Sequence, residues 1–177
     1  MLTFMQFLQE RWEEKLHPRV PIGNEGGGRF TNRYIHYSLM KKDRINRPAE
    51  TEQSTNDIKP SGLWLSIGSE WDDWCKANKF RQNWNKEKTA VVLKKHAKIL
   101  RISNAKEIDE FTKKYGVESK NWGTTLINWK KVTGDYQGII IAPYISSRRN
   151  TPHTLWYYGW DIASGCIWDV DAVKELK

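Results

Sequence analysis

The stretch KPSGLWLSIGSEWDDWC, which begins at Lys59, constrains the fold most because a turn, a strand and a helix start follow one another in it. Pro60 and Gly62 mark the turn, since Pro fixes φ and Gly relaxes it. The apolar run Leu63–Ser66 then predicts a short strand that buries large side chains. Ser69 is placed to cap a helix after it. Three apolar residues of that helix recur at i, i+3 and i+4: Trp71, Trp74 and Cys75.

The length and the aromatic content indicate one domain with a hydrophobic core. The chain has 177 residues, and ten Trp, seven Tyr and five Phe supply bulk for the core. No run is long enough to span a membrane and no leader peptide is recognisable, so we expect neither membrane association nor secretion by that route. Cys75 and Cys166 match no metal-ligand spacing, and we expect them to be reduced, buried thiols.

The positive charge is concentrated in one part of the chain. Residues 81–131 hold 13 Lys or Arg and 5 Asp or Glu, which gives +8, and the remainder holds 16 of each and is neutral. Such a segment is either a solvated face or a surface that attracts a polyanion or an acidic protein. Three tryptophans interleaved with these charges could stack on bases: Trp84, Trp122 and Trp129.

The first thirty residues predict a segment separate from the folded domain. Met1–Leu16 has the apolar spacing of a short amphipathic helix, and the prolines of His17–Pro21 end it. The glycine-rich run Gly23–Gly28 predicts a flexible linker. We therefore expect residues 1–30 to be dispensable for folding and residues 31–177 to form a single α+β domain.

The remaining elements alternate between strands and helices without an internal repeat, which predicts an α+β fold with a mainly antiparallel sheet. Further strands are predicted at Tyr34–Ser38, Val91–Leu93, Ile99–Ile102, Ile139–Ala142, Leu155–Trp160 and Gly165–Trp168. Helices are predicted at Asn104–Tyr115, capped by Ser103 or Asn104, and at Thr124–Val132.

Several common enzyme motifs are missing from the sequence. Gly26–Gly28 lacks the Lys-Ser/Thr pair and the helix that a phosphate loop needs. No GxGxxG follows a strand, no GxSxG is present, and no His, Cys or carboxylate group has metal-ligand spacing. We therefore expect no metal centre of a common type and none of these hydrolase or nucleotide-binding classes.

The N-terminal segment resembles proteins of tailed phages. FMQFLQE, which starts at Phe4, resembles the starts of many such proteins, and LHPRVP…GGGRFT resembles a linker of phage head-associated proteins. The resemblance implies a phage or prophage origin, action in the host cytoplasm, and the phage head as a partner if the protein is packaged in the virion. An ordinary N-terminal helix and loop is the alternative.

Three short elements follow in order along the rest of the chain: the strand residues His36–Ser38, the run Gly62–Ser66 before a helix, and a late Asp. This order resembles the ADP-ribosyltransferase fold of poly-ADP-ribose polymerases and diphtheria-type toxins. That family places a His on its first core strand, a Gly-apolar-aromatic-apolar-small strand that cradles NAD, and a carboxylate on a later strand. The family usually has Glu there, but no Glu lies within residues 119–174. Asp161 is the best replacement, and Asp169 the second.

The resemblance covers roughly residues 33–170 and implies a twisted, mainly antiparallel split β-sheet with flanking helices, and NAD as the substrate. Cleaving the nicotinamide–ribose bond creates an oxocarbenium-like centre, which needs an anion near the forming cation and groups that hold the ribose. The catalytic residues expected are Asp161, His36 and Ser66. The residues expected to bind NAD are His36, Tyr37, Ser38, Gly62, Leu63, Trp64, Ser66, Tyr157 and Arg148.

Individual roles follow from side-chain chemistry. His36 would donate to the adenosine ribose, and Ser38 or Ser66 to the nicotinamide ribose. Gly62 would let the backbone approach the carboxamide. The side chains considered for stacking on nicotinamide are Tyr37, Trp64 and Tyr157. The pyrophosphate would meet Arg148 and Arg149.

Each of these residues also has a structural interpretation. A single His on a strand is commonly a satisfied structural group, Trp64 suits a core, and Asp161 could cap a turn. Three functions therefore stay open: NAD-dependent ADP-ribosyl transfer to a host protein or nucleic acid, or NAD hydrolysis; non-catalytic nucleic-acid binding; and a structural role in the phage head.

Overall fold

The computed structural model describes residues 34–40, 53–80, 86–119 and 123–177. The predictions for residues 1–30, and for Trp84 and Trp122 as base-stacking side chains, lie outside these ranges. Within them, no helix has both the length and the apolar composition needed to cross a membrane.

Nine strands and three α-helices make up the regular structure of the described residues. The strands are β1 (Tyr34–Ser38), β2 (Leu63–Ile67), β3 (Glu87–Leu93), β4 (Ile99–Ile102), β5 (Gly116–Ser119), β6 (Thr124–Ile127), β7 (Gly138–Ile141), β8 (Ser164–Ile167) and β9 (Val173–Leu176). The helices are α1 (Glu70–Ala77), α2 (Ala105–Tyr115) and α3 (Trp129–Asp135). Short 3₁₀ segments lie at Ser146–Arg148, Pro152–Gly159 and Val170–Ala172.

Seven strands form one curled sheet in the order β4-β7-β8-β2-β1-β3-β9, and β5 and β6 form a separate antiparallel pair. In the larger sheet β4 and β7 are parallel, and the other neighbouring strands are antiparallel. The predicted α+β class with a mainly antiparallel sheet is therefore confirmed.

The sheet opens between β1 and β2. The ladder between these strands consists of two residue pairs and ends at Ile35 and Ser66, whereas β1 pairs with β3 along its whole length. One residue further on, the imidazole Nδ1 of His36 lies 2.9 Å from the carbonyl oxygen of Trp64. A side chain therefore bonds the β2 backbone where the strand ladder stops.

The sheet is buried on both faces around β7. Ile139 and Ile141 contribute to one hydrophobic core, and Ile140 to the other, because successive strand residues point to opposite faces. The larger core is rich in aromatic side chains from α2, α3, the 3₁₀ segment at Pro152–Gly159 and the residue after it: Phe111, Tyr115, Trp129, Trp156, Tyr157 and Trp160. This core holds the segment before β8 in place, and Asp161 lies in that segment.

The helix predicted over Thr124–Val132 is wrong in its first half. Thr124–Ile127 is strand β6, which pairs with β5, and the helix begins only at Trp129. The side chain of Asn128 accepts a hydrogen bond from the Lys131 N–H and caps α3, so a cap separates two elements. The apolar spacing alone does not reveal this boundary.

The strand predicted over Leu155–Trp160 is also wrong. Leu155–Gly159 belongs to the 3₁₀ segment, which bends at Thr154, and Trp160 follows it directly. Most of these side chains are buried. A run of aromatic and apolar residues is compatible with a buried strand and with a buried helical segment, so the run alone cannot tell the two apart. The final strand β9, which pairs with β3, was not predicted.

Helix capping follows the prediction at α2 and departs from it at α1. The Asn104 side chain accepts a hydrogen bond from the Glu107 N–H at 3.0 Å, as expected. Ser69 precedes α1, but its hydroxyl donates to Asp73 and makes no capping bond to the backbone. The hydroxyl oxygen of Ser66 instead accepts from the Trp71 N–H at 3.0 Å.

Candidate functional site

A cleft of about 540 Å³ lies where β1 and β2 separate. Its walls come from β1, β2, the first turn of α1 and the segment before β8. The volume is within the range of pockets that hold small organic ligands, roughly 300–1,000 Å³. The residues that line it are Ile35, His36, Tyr37, Ser38, Leu39, Lys59, Trp64, Leu65, Ser66, Trp71, Gly159, Trp160, Asp161, Ile162 and Ser164.

The three residues predicted to be catalytic all line this cleft. His36 comes from β1, Ser66 from β2, and Asp161 from the segment just before β8. They meet because β8, β2 and β1 are consecutive neighbours in the sheet, although the residues are far apart in sequence. The predicted convergence therefore occurs in the structure.

The hydrogen bond of His36 determines which of its nitrogens carries a proton. A carbonyl oxygen can only accept, so the Nδ1 atom that faces Trp64 O at 2.9 Å must carry hydrogen. In the neutral ring Nε2 is then an acceptor. The neutral ring therefore offers Nε2 as an acceptor to a ribose hydroxyl, whereas the protonated ring donates through both nitrogens, as the sequence suggested.

Ser66 links the cleft to the start of α1. Ser66 is 4% exposed, and its hydroxyl oxygen accepts a hydrogen bond from the Trp71 N–H. A hydroxyl oxygen can accept in this way and still donate its own proton. Ser66 can therefore both cap the helix and offer a hydrogen to a ligand in the cleft.

Asp161 forms an ion pair at the edge of the cleft. Its Oδ1 accepts a hydrogen bond of 2.6 Å from Arg149 Nη2, and the two side chains are 24% and 27% exposed. Arg149 also lies over the ring of Tyr158, with its Cζ 5.2 Å from the ring centroid. Asp161 lines the cleft and Arg149 does not, so the negative end of the pair is the end nearer to a ligand.

The neighbourhood of this ion pair contains buried polar atoms that have no hydrogen-bond partner among the described residues. These atoms are the Tyr144 hydroxyl, Arg149 Nε and Trp160 Nε1. Burial raises the pKa of Tyr144 to about 12, and nearby Arg149 opposes this rise. The tyrosine is therefore neutral at physiological pH and adds no charge to the site.

Glu70 ties the segment that carries Asp161 to the start of α1. Its Oε2 accepts a hydrogen bond of 3.0 Å from the Ala163 N–H, two residues after Asp161. Loss of hydration raises the pKa of Glu70; the bond from Ala163 opposes this rise, and repulsion from Asp73 adds to it. Glu70 thereby fixes the distance between α1 and the segment that holds the carboxylate.

Tryptophans form the apolar walls of the cleft. Trp64 contacts Trp160 edge to face, with ring centroids 4.9 Å apart. Trp71 is stacked on Trp74 at 5.3 Å, and Phe80 packs against both rings. Tyr37 also lines the cleft, and Lys88 Nζ lies 5.5 Å from the centroid of its ring. These faces can stack on a planar ligand.

Two residues predicted to bind NAD lie away from the cleft. Tyr157 is fully buried in the aromatic core, and its hydroxyl accepts from the Ile145 N–H at 3.0 Å. Arg148 forms a bidentate ion pair with Asp109, which lines a separate cavity of about 360 Å³. Both predictions are corrected, because each side chain is committed to another part of the structure.

Gly62 and Leu63 do not line the cleft either. A Cβ at Gly62 would lie 2.6 Å from the Ile167 carbonyl oxygen and 2.8 Å from Cys166 Sγ. Gly62 is therefore needed for close packing of β2 on β8, not for approach of the backbone to a ligand. Leu63 packs against the smaller core.

Sequence reasoning missed several residues of the cleft, of which four are polar or aromatic: Lys59, Trp71, Trp160 and Ser164. Trp71 had a signal, because it lies one turn after Ser66 and begins the predicted helix. Lys59 precedes the Pro60 turn, and a lysine before a turn ordinarily indicates only a solvated loop.

Comparisons of this chain with protein-family models, with curated proteins and with solved structures find no match.

Proposed function

We propose that the cleft binds NAD and that the protein cleaves the nicotinamide–ribose bond, passing ADP-ribose to a macromolecule or to water. The observation that carries this proposal is that His36, Ser66 and Asp161 line one cleft. Their order along the chain is that of the ADP-ribosyltransferase resemblance. Their meeting between two diverging strands is the arrangement that a split-sheet NAD site requires.

The roles of these residues follow from their surroundings. His36 holds a ribose hydroxyl through Nε2, and Ser66 donates to the other ribose. Trp64 and Tyr37 offer faces to the nicotinamide ring, a task that buried Tyr157 does not perform. These contacts orient the dinucleotide so that its glycosidic bond lies near Asp161.

Asp161 stabilises the positive charge that develops on the ribose as nicotinamide leaves. Its carboxylate is held by Arg149, which fixes its orientation and takes up part of its charge. The electrostatic benefit is retained because the carboxylate is the end of the pair that lines the cleft. A fixed dipole of this kind needs little reorganisation during the reaction.

The resemblance of the N-terminal segment to tailed-phage proteins suggests where the reaction takes place. A phage-encoded enzyme of this class would modify a host protein or nucleic acid in the host cytoplasm, and packaging in the virion would deliver it with the genome.

The proposal is tested by incubating the full chain with NAD and measuring free nicotinamide by chromatography. Parallel samples contain host lysate and NAD labelled in the adenine ring. Nicotinamide release with labelled macromolecules indicates transfer, and release without them indicates hydrolysis. No release under either condition contradicts the proposal.

Nucleic-acid binding is a second candidate, favoured by a lysine cluster on α2 and α3. Its members are exposed: Lys113, Lys114, Lys130 and Lys131. Lys131 Nζ lies 3.4 Å from the Lys114 carbonyl oxygen, so the two helices bring these charges together. Asp135 pairs with Lys114 and offsets one charge. Trp129 is fully buried and is not the base-stacking residue suggested by sequence. An affinity for nucleic acid that falls steeply with salt, without NAD turnover, would favour this candidate.

A further inference from the structure

Two buried serine side chains lie side by side in the cleft. Ser66 of β2 and Ser164 of β8 are paired in the antiparallel ladder between these strands, and both line the cleft. Directly opposite residues of neighbouring strands point to the same face of a sheet, with Cβ atoms about 4.5–5.5 Å apart. The two residues are 4% and 7% exposed. We call these two residues the serine pair.

The serine pair interrupts an apolar row across the sheet. Ser66 is also paired with Ile35 of β1, and Ser164 with Ile141 of β7, so the row runs isoleucine, serine, serine, isoleucine over neighbouring strands. Ile35 and Ile141 are buried. Placing hydroxyls in such a row costs free energy unless hydrogen bonds satisfy them. The hydrogen-bonding capacity that the two hydroxyls have left therefore indicates what this row is built to contact.

The two hydroxyls have opposite capacity left. The Ser66 oxygen accepts from the Trp71 N–H at 3.0 Å, and its proton has no acceptor among the described residues. The Ser164 hydroxyl donates to the Ile162 carbonyl oxygen at 3.1 Å, and its oxygen accepts from no residue that the structure describes. The two serines do not bond to each other. Because a hydroxyl can both donate and accept, the pair presents one donor and one acceptor to the cleft.

Two adjacent sugar hydroxyls complement this arrangement. In a cis-diol one hydroxyl can donate to its neighbour, which leaves the diol with one donor and one acceptor to offer outward. An ionised carboxylate offers only acceptors and an ammonium group only donors, so each would satisfy one serine alone. A ribose held by the pair would lie near Asp161, because Ser164 follows Asp161 closely in the chain and both line the cleft.

We propose that Ser164 is the specificity-determining partner of Ser66 and that the serine pair binds two adjacent hydroxyl groups of a ribose. The identification of that ribose with the one that carries nicotinamide rests on the proposed function. Ser66 donates to one hydroxyl, and Ser164 accepts from its neighbour. A sugar that lacks one of the two leaves a buried serine hydroxyl without its partner, so the cleft selects ribose over deoxyribose.

The test is isothermal titration calorimetry on the full chain with ADP-ribose and with the analogue that lacks the 2-hydroxyl of its terminal ribose. Neither ligand contains nicotinamide, so the proposed reaction consumes neither. The proteins compared are wild type, Ser164→Ala and Ser119→Ala. Ser119 is a half-buried strand serine in β5, outside the cleft, and is the matched control.

We expect wild type to bind ADP-ribose about three- to tenfold more tightly than the deoxy analogue, which corresponds to one uncharged hydrogen bond. Ser164→Ala should weaken ADP-ribose binding by a similar factor and leave binding of the analogue within about twofold of wild type. A general structural effect of the alanine would weaken both ligands equally, so it would not reproduce this pattern. Ser119→Ala should match wild type with both ligands.

Equal affinity of wild type for the two ligands would overturn the inference and would leave a primary carboxamide, which also offers one donor and one acceptor, as the group that fits the pair. A Ser164→Ala protein that keeps the full preference for ADP-ribose would overturn it too, and so would a wild type that binds neither ligand.

Nicotinamide release from NAD, measured on the same proteins, separates the inference from the proposed function. Release by a wild type that shows no preference for the ribose removes the serine-pair site and leaves the proposed function standing. A Ser164-dependent preference without release leaves the ribose site standing and removes the NAD-cleaving function.

Discussion

Tyr157 was predicted to stack on a ligand, but its contacts place it in the aromatic core. Tyr157→Phe removes the hydroxyl that accepts the Ile145 N–H and leaves that buried amide without a partner. We expect a loss of about 1–3 kcal/mol in the free energy of unfolding, measured by urea denaturation. The rate of nicotinamide release should stay close to that of wild type. A large loss of activity at unchanged stability would return Tyr157 to the site.

Some residues of the cleft could be predicted from the sequence and others could not, because the position of the latter depends on tertiary contacts. The meeting of His36, Ser66 and Asp161 in one cleft was expected because their order along the chain resembles that of a known family. Tyr157 and Arg148 were assigned from residue type alone, and residue type does not reveal burial or an ion-pair partner. Lys59 reaches the cleft only because Gly159, a hundred residues later, leaves room for its stem. No local pattern encodes that contact.

Strand β2 packs closely on β8 at Gly62, and this contact supports one wall of the cleft. Gly62→Ala would place a methyl group 2.6 Å from the Ile167 carbonyl oxygen. We expect the strands to shift apart, with a loss of about 1–3 kcal/mol in unfolding free energy. Gly134→Ala in α3 is the control, because a Cβ there meets nothing within 4 Å and alanine favours helix. Equal stability of the two variants would contradict this packing role.

Glu70 at the start of α1 makes the link to the Asp161 segment sensitive to pH. Its pKa is raised in the folded state above its ordinary value of 4.5, chiefly because its carboxylate loses hydration. Its contribution to stability is therefore fully present below pH 4.5 and declines as pH rises through the raised pKa. Glu70→Gln keeps an oxygen that can accept from Ala163 and removes this decline.

We therefore expect Glu70→Gln to match wild type in unfolding free energy below about pH 4 and to exceed it at neutral pH. Denaturant titrations at a series of pH values measure this difference. The opposite result is that Glu70→Gln loses unfolding free energy relative to wild type as the pH rises from acidic to neutral. It would show that the charge of Glu70 itself stabilises the start of α1.

The element boundaries that sequence missed are those decided by tertiary pairing. The Thr124–Val132 stretch has apolar spacing compatible with a helix, but β5 follows α2 directly and offers a partner for β6. Helix α2 was predictable because its cap, its apolar face and its end are all local features. Strand β9 was not, because it is short and is defined by its pairing with β3.

The seven-stranded sheet of the described residues begins with β1 at Tyr34, so we expect the fold to be independent of the N-terminal segment. A chain that starts at Phe30 keeps every described element. We expect its melting temperature to stay within about 2 °C of the full chain and its nicotinamide release to be unchanged. Differential scanning calorimetry checks this. An insoluble product, or a much lower melting temperature, would show that residues 1–29 stabilise the domain.

The cleft and the lysine cluster lie on different elements of the fold, so their proposed functions can be tested separately. The proposed NAD cleavage would use side chains from β1, β2 and the segment before β8, whereas the lysine cluster belongs to α2 and α3. A nucleic-acid acceptor would connect the two, since binding at the cluster would raise the local concentration of acceptor near the enzyme.

The most direct measurement of the central claim compares nicotinamide release by wild type, Asp161→Asn and Asp169→Asn. Asn keeps the shape of Asp161 but loses the charge near the developing cation, which should slow release by about 10²–10³. Asp169 accepts from Gln137 and caps the 3₁₀ turn at Val170–Ala172, outside the cleft, so Asp169→Asn should release nicotinamide at the wild-type rate. Circular dichroism verifies that both variants fold. Nicotinamide release by Asp161→Asn at the wild-type rate would contradict this account. A wild-type protein that releases no nicotinamide would contradict it too.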